Sequence, residues 1–210
     1  MGLVITTYLQ YSYTPVPLLH MLTTHYLPHC TEAGCDEAGR GSYAGPVYAA
    51  AVILPTTYNH ALLTDSKLCT PPQRLLLRDS IQANAISYAV AYCTVATITK
   101  LNILQAAIKA MHLALAKLAT APQHILVDGN QFVPYKSIPY TTIIKGDGTY
   151  TSIAAASILA KTYRDEHMNR LHLSYPEYDW LHNKGYGTLQ HRQAIAKHGL
   201  CKHHRHSFNI

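Results

Sequence analysis

The sequence predicts an α/β domain with a mixed sheet. Three observations predict it. Short runs rich in small or β-branched apolar residues ("PVYAAAVILP", "AISYAVAYCTVATI", "HILVDG") read as strands. Longer segments carry apolar residues at helical spacing. Strands come first, and strand and helix then alternate, which favours a mixed sheet.

The elements follow in order. "EAGCDEAG" has an apolar stretch upstream and could end a strand. "PVYAAAVILP" reads as a buried strand stopped by Pro55. "TPPQRLLLRDSIQAN" opens with prolines and reads as a helix whose apolar face is Leu75, Leu76 and Ile81. "AISYAVAYCTVATI" is expected to be a strand throughout. "LNILQAAIKAMHLALAKLA" sets Ile103, Ala107, Met111, Leu115 and Leu118 on one helical stripe. "HILVDG" and "YTTIIKGDG" are two strands of one form, each leading to an acid and a glycine. A long helix over "TSIAAASILAKTYRDEHMNRLH" comes next, and then a loop, "YPEYDWLHNKGYG". The last helix, "TLQHRQAIAKHG", is closed by Gly199.

A chain of 210 residues suffices for one substantial domain. No apolar run reaches membrane-spanning length, so a soluble protein is expected. Lys and Arg number 17 against 11 acids, a net charge of +6 that suits a polyanionic partner without requiring one. Residues 161–210 hold eight Lys or Arg against four acids, with eight histidines, so the basic excess lies near the C-terminus. Five cysteines, with no CxxC spacing, argue against a disulfide framework or a zinc knuckle and suit a reducing cytoplasm. The histidine-rich end "CKHHRHSF" reads either as a solvated tail or as a metal binder. Residues 1–34 contain no Lys or Arg, which excludes a signal peptide with a positive start. Met21 opens a second plausible beginning, so residues 1–20 are expected to be an extension outside the core.

Acids recur at three strand ends: Asp36 and Glu37 in "GCDEAG", Asp128 in "ILVDGN", and Asp147 in "IIKGDG". Each alone reads more readily as a turn former. Together, at one edge of a sheet, four carboxylates would repel by several kcal/mol in a partly dry site and would call for a cation. Hard oxygen ligands suit Mg²⁺ or Mn²⁺, the ions of two-metal phosphoryl chemistry.

Other segments fit a phosphate substrate. The glycines of "GRG" (Gly39, Arg40, Gly41) allow close backbone approach. "DSK" offers Lys67 in a loop, or is a plain turn before a helix. Lys161 and Arg164 stand three apart on one helix face, within reach of phosphates or simply solvated. Tyr186 sits between glycines in a loop that looks mobile, where an aromatic ring can stack on a sugar or base.

These blocks together resemble the type 2 ribonuclease H (ribonuclease HII) family, from about residue 32 to the end: "GCDEAGRG…AGPVYAAAVIL", "DSK", "NILQAAIKAM", "ILVDGN", "KGDGTYTSIAAASILAKTYRD", "YPEYDW…NKGYGT…H" and "HRHSF". The resemblance implies a ribonuclease H-like fold, its mixed central sheet flanked by helices, with a small helical C-terminal region. Residues 21–170 would form the catalytic domain and 171–210 the substrate-binding region. It implies endonucleolytic cleavage of RNA in RNA/DNA hybrids and 5′ of single ribonucleotides in duplex DNA, a role in removing ribonucleotides from DNA. It places the metal-binding carboxylates on Asp36, Glu37, Asp128 and Asp147, with two Mn²⁺ or Mg²⁺ ions during catalysis. Gly39, Arg40 and Gly41 would read the 2′-OH, Tyr186 would sense the junction, and Lys67, Lys161 and Arg164 would contact phosphates. A monomer is expected. The first 20 residues and the extra histidines of "HHRHSF" depart from the family pattern. A non-catalytic binder and a DNA-directed nuclease or resolvase are the rival readings. The acids disfavour the first; the "GRG" and "NKGYG" blocks disfavour the second.

Overall fold

The computed structural model describes residues 22–208. The expected extension over residues 1–20 lies outside the described residues.

Strand β1 (Glu32–Ala38) is central, with the sheet order β3-β2-β1-β4-β5. β2 (Val47–Ile53) and β3 (Ser87–Cys93) pair antiparallel on one side. β4 (His124–Asp128) and β5 (Tyr140–Ile143) pair parallel on the other. The sheet is mixed, as expected. Each face of it buries a separate core. Val47, Ala49, Ala51 and Ile53 of β2 meet Ala107, Met111 and Leu115 of helix α3 (Ile103–Ala116). The alternate residues Ala50 and Val52 face Leu77 and Ile81 of α1 (Pro71–Asn84) and Ile158 and Leu159 of α4 (Thr151–Ser174). The run of small residues in the strands lets the helices approach closely. At Gly34 a Cβ would stand 2.2 Å from the backbone carbon of Ser152, so α4 lies directly on the β1 backbone.

Three expectations are corrected. α1 buries Leu77 and Ile81, while Leu75 and Leu76 are about half exposed. Three consecutive leucines leave the helical phase ambiguous, and packing on α4 selects Leu77. The strand expected over "AISYAVAYCTVATI" stops at Cys93, because the Thr94 hydroxyl accepts from the Thr97 amide and caps a helix, α2 (Val95–Leu101). Asp147 is not at a strand end but in a single 3₁₀ turn, Gly146–Gly148, beyond β5.

After α4 the chain forms a short helix α5 (Trp180–Asn183) and then α6 (Leu189–His198), which ends at Gly199 with φ 77°. The C-terminal tail is not a solvated strand of histidines. His204 and Arg205 are completely buried. Among the described residues, the histidines join no group of three metal-ligating side chains. Among them, too, no helix is long and apolar enough to cross a membrane.

Burial, and then the neighbouring His191, push His204 from the usual 6.5 down to about 4. A histidine with a folded pKa below its unfolded one stabilises the fold above pH 6.5. That contribution is lost as the pH falls toward 4. Denaturation curves at the two pH values are expected to differ by roughly 2–3 kcal/mol from this group, and His204→Gln is expected to flatten that difference.

Candidate active site

The register of β1 against β4 pairs Cys35 with Val127. The next residues, Asp36 and Asp128, therefore emerge side by side at the same end of two parallel strands. The 3₁₀ turn brings Asp147 to them, and the Gly146 amide donates to Asp128 Oδ1 at 2.8 Å. Carboxylate oxygens of Asp36, Asp128 and Asp147 lie within 4.8 Å of one another. Asp36 and Asp147 are 4% and 5% exposed.

Such crowding has an electrostatic signature. Burial, and then the charges of Glu37 and Asp128, hold the Asp36 carboxyl well above the usual range. Hydrogen bonds from the Glu37 amide and the Ser157 hydroxyl oppose this in part. Burial, then Asp128 and Asp65, raise Asp147 against the pull of Lys67. Burial raises Glu37 as well, against the nearby Arg40 guanidinium. A cluster of hard oxygen donors in which Asp36, Glu37 and Asp147 are each held above their ordinary range is suited to a divalent cation.

Glu37 and Asp128 line, with Asp36, an open cleft of about 560 Å³. Arg40, Lys67, Arg74, Lys161 and Tyr186 line it too, so the acidic centre has a basic margin. Arg40 pairs with Glu37 at 3.2 Å. Lys67 is mostly exposed, with its Nζ 3.5 Å from Asp147 and 3.4 Å from Asp65. Lys161 pairs with Asp165 at 2.8 Å. The glycines of "GRG" differ from each other. Gly39 has φ +94°, and a Cβ there would stand 1.9 Å from Arg164 Nε. Among the described residues, Gly41 has nothing within 4 Å of a Cβ position, and it is exposed to the cleft.

Arg164 does not join the cleft margin. It is completely buried, and its Nη2 donates to Ser42 Oγ and to the carbonyls of Ala44 and Lys184. The expected phosphate contact is therefore corrected: the side chain ties two loop segments, residues 42–46 and 184, together. Nor does the "NKGYG" loop hang free. The Tyr43 and Ala44 amides donate to the Gly185 carbonyl, and Tyr186 forms a bridge with Ser42. The Tyr186 ring is 37% exposed, with the Arg164 guanidinium 5.2 Å and the Lys161 Nζ 5.7 Å from its centroid.

Sequence reading passed over Ser157, Ser66 and Arg74. The Ser157 and Ser66 hydroxyl oxygens lie 2.7 Å apart beside Asp36. Arg74 donates to the Ser66 and Cys69 carbonyls and so fastens the loop that carries Lys67. A serine interrupting the alanine-rich run of α4 was the available signal for Ser157; an arginine in the first turns of a helix carries none.

Comparison with known proteins bears on this geometry. The family model described as ribonuclease HII matches residues 33–210. Ribonuclease HII of Bacteroides fragilis (strain YCH46) is 59% identical over 179 residues, covering 85% of this chain and 89% of that protein. Ribonuclease HII of Bacteroides thetaiotaomicron is 56% identical over 190 residues, covering 90% and 95%. The crystal structure of ribonuclease H2 from Pyrococcus horikoshii OT3 superposes with a TM-score of 0.72 at 25% identity, covering 85% of this chain and 94% of that one. The mixed sheet with its flanking helices is thus the ribonuclease H-like fold. With the matched region running from β1 through the buried tail, the chain belongs to the ribonuclease HII family and is a ribonuclease H, a metal-dependent endonuclease.

Proposed function

We propose that the protein cuts the RNA strand of RNA/DNA hybrids, and duplex DNA 5′ of a single embedded ribonucleotide, using two Mg²⁺ or Mn²⁺ ions. Removal of ribonucleotides from DNA would be its role. The observation that carries this reading is the convergence of Asp36, Asp128 and Asp147 within 4.8 Å, in a region whose cleft also presents the unobstructed backbone of Gly41.

Asp36, Glu37, Asp128 and Asp147 would hold the metal. Bound there, divalent ions would supply an acidified water and would neutralise charge on the scissile phosphate and the leaving 3′-oxygen. The protein's own groups do the rest. Lys67 and Lys161, on the cleft margin, attract and orient the flanking phosphates. The Ser157 hydroxyl keeps Asp36 turned toward the cluster. The Gly41 backbone, with no side chain in the way, meets the ribose 2′-OH. A deoxyribose would leave that backbone group unpaired, at about 1–3 kcal/mol. The Tyr186 ring offers a flat face to the sugar beside the ribonucleotide.

End-group analysis of a cleaved hybrid, its RNA strand labelled, tests this reading. Fragments ending in 5′-phosphate and 3′-hydroxyl are expected. Cyclic phosphate or 2′-phosphate ends would show that the 2′-OH is the nucleophile and would discard the reading.

A further inference from the structure

We propose that the buried C-terminal tail, through Arg205 and His204, positions both elements that read the ribose. This rests on the proposed roles of Gly39–Gly41 and Tyr186. The tail adds a strut that neither element contains.

Two chains of contact lead from the tail to the cleft. In the first, Arg205 Nη1 donates to the Arg40 carbonyl at 2.8 Å, and its Nε donates to the Gly45 carbonyl at 2.9 Å. A trans peptide sets its C=O and N–H on opposite sides. Holding the Arg40 carbonyl down on Arg205 therefore turns the Gly41 amide away from it, toward the open space at Gly41. The Gly45 amide donates back to the His203 carbonyl, and the Arg205 amide to the Tyr43 carbonyl, so the tail is laced along the loop.

In the second, His204 and His191 form a network that fixes their tautomers. The Cys201 amide donates to His204 Nδ1, which leaves the proton on His204 Nε2 to meet His191 Nε2 at 3.2 Å. His191 Nε2 also accepts from the Trp180 indole at 3.1 Å. Its proton must then be on Nδ1, which donates to the Tyr186 carbonyl at 2.9 Å. Thr188 donates to the same carbonyl at 2.8 Å. The Tyr186 backbone is thus held by two donors, one of them anchored in the tail.

The charges beneath the loop carry a further implication. Arg164 and Arg205 are both completely buried, and among the described residues neither has a salt bridge. Among the described residues, Arg164 Nη1 and Arg205 Nη2 have no hydrogen-bond partner. A stabilising design would pair such cations with acids. Their partners are instead loop carbonyls and the Ser42 hydroxyl, so two guanidinium groups lie beneath the backbone that the substrate approaches.

The test is binding of two fluorescent DNA duplexes in EDTA, one all-DNA and one holding a single ribonucleotide, to the wild type, Arg205→Lys and His204→Gln. Lysine keeps the charge but cannot hold both carbonyls. The wild type is expected to prefer the ribonucleotide duplex. Both variants are expected to shrink that preference roughly tenfold, with all-DNA binding within about twofold of wild type. A variant that merely loosened the fold would weaken both duplexes alike, and that result would overturn the proposal. So would a wild-type preference retained by both folded variants. Either variant alone carries the test if the other melts below the assay temperature. Equal binding of both duplexes by the wild type would instead remove the ribose-reading proposal itself, and the strut with it.

Discussion

Asp128→Asn is expected to slow cleavage by at least roughly 10³-fold, a loss of about 4 kcal/mol of transition-state stabilisation, while hybrid binding is spared. The substitution is nearly isosteric, and the asparagine Oδ1 can still accept from the Gly146 amide, so the turn that carries Asp147 survives. What disappears is one charge of the cluster. The metal-free variant is therefore expected to be more stable than wild type by about 1 kcal/mol, because a repulsion goes with the charge. The pH dependence has a definite sign. Asp36 has a raised folded pKa, and the charge of Asp128 contributes to it. Such a carboxyl favours the fold in acid and loses that contribution as the pH rises through its folded pKa. The metal-free wild type should lose stability from this group on approaching neutral pH, and Asp128→Asn should lose less. Cleavage rates at millimolar Mg²⁺, with urea denaturation in EDTA across pH, check both halves. Near-wild-type turnover would remove Asp128 from the site.

Gly41→Ala and Gly39→Ala are expected to fail for opposite reasons. At Gly41 a methyl meets no atom of the described residues within 4 Å and the backbone needs no positive φ, so the fold should be unchanged or slightly stabilised, within about 1 kcal/mol. Cleavage at a ribonucleotide should nonetheless fall roughly ten- to a hundredfold, because the methyl fills the space through which the sugar reaches the backbone. At Gly39 a methyl would collide with the Arg164 side chain and strain a backbone at φ +94°. That variant should lose about 2–4 kcal/mol of stability. Thermal melts and cleavage rates of the two variants separate the effects. A Gly41→Ala protein with full activity would show that the substrate does not approach there.

Particular residues show what the sequence could reveal and why the rest stayed hidden. The aspartates were legible because strand ends in a sheet converge by topology, so three acid-bearing segments could be placed together without coordinates. That holds although Asp147 proved to sit in a 3₁₀ turn beyond its strand. Arg164 was misread because helical spacing gives a face and not a neighbour. Lys161 and Arg164 share a face of α4, but loops from residues 42–46 and 184 close over Arg164 alone. The tail was misread for the same reason. Three histidines and basic residues look solvated until the loop carbonyls that accept from Arg205 are brought from more than a hundred residues away. Burial of charge by distant backbone leaves no local pattern.

Cleavage of a labelled DNA duplex holding one ribonucleotide, beside an all-DNA duplex, in Mg²⁺, Mn²⁺ and EDTA, is the most direct measurement of whether a carboxylate-held metal acts next to a sugar-reading backbone. A single cut 5′ of the ribonucleotide, present with either metal and absent with EDTA, is the expected result, with the all-DNA duplex intact. Cutting of both duplexes would contradict the sugar reading, and cutting that persists in EDTA would contradict the metal site.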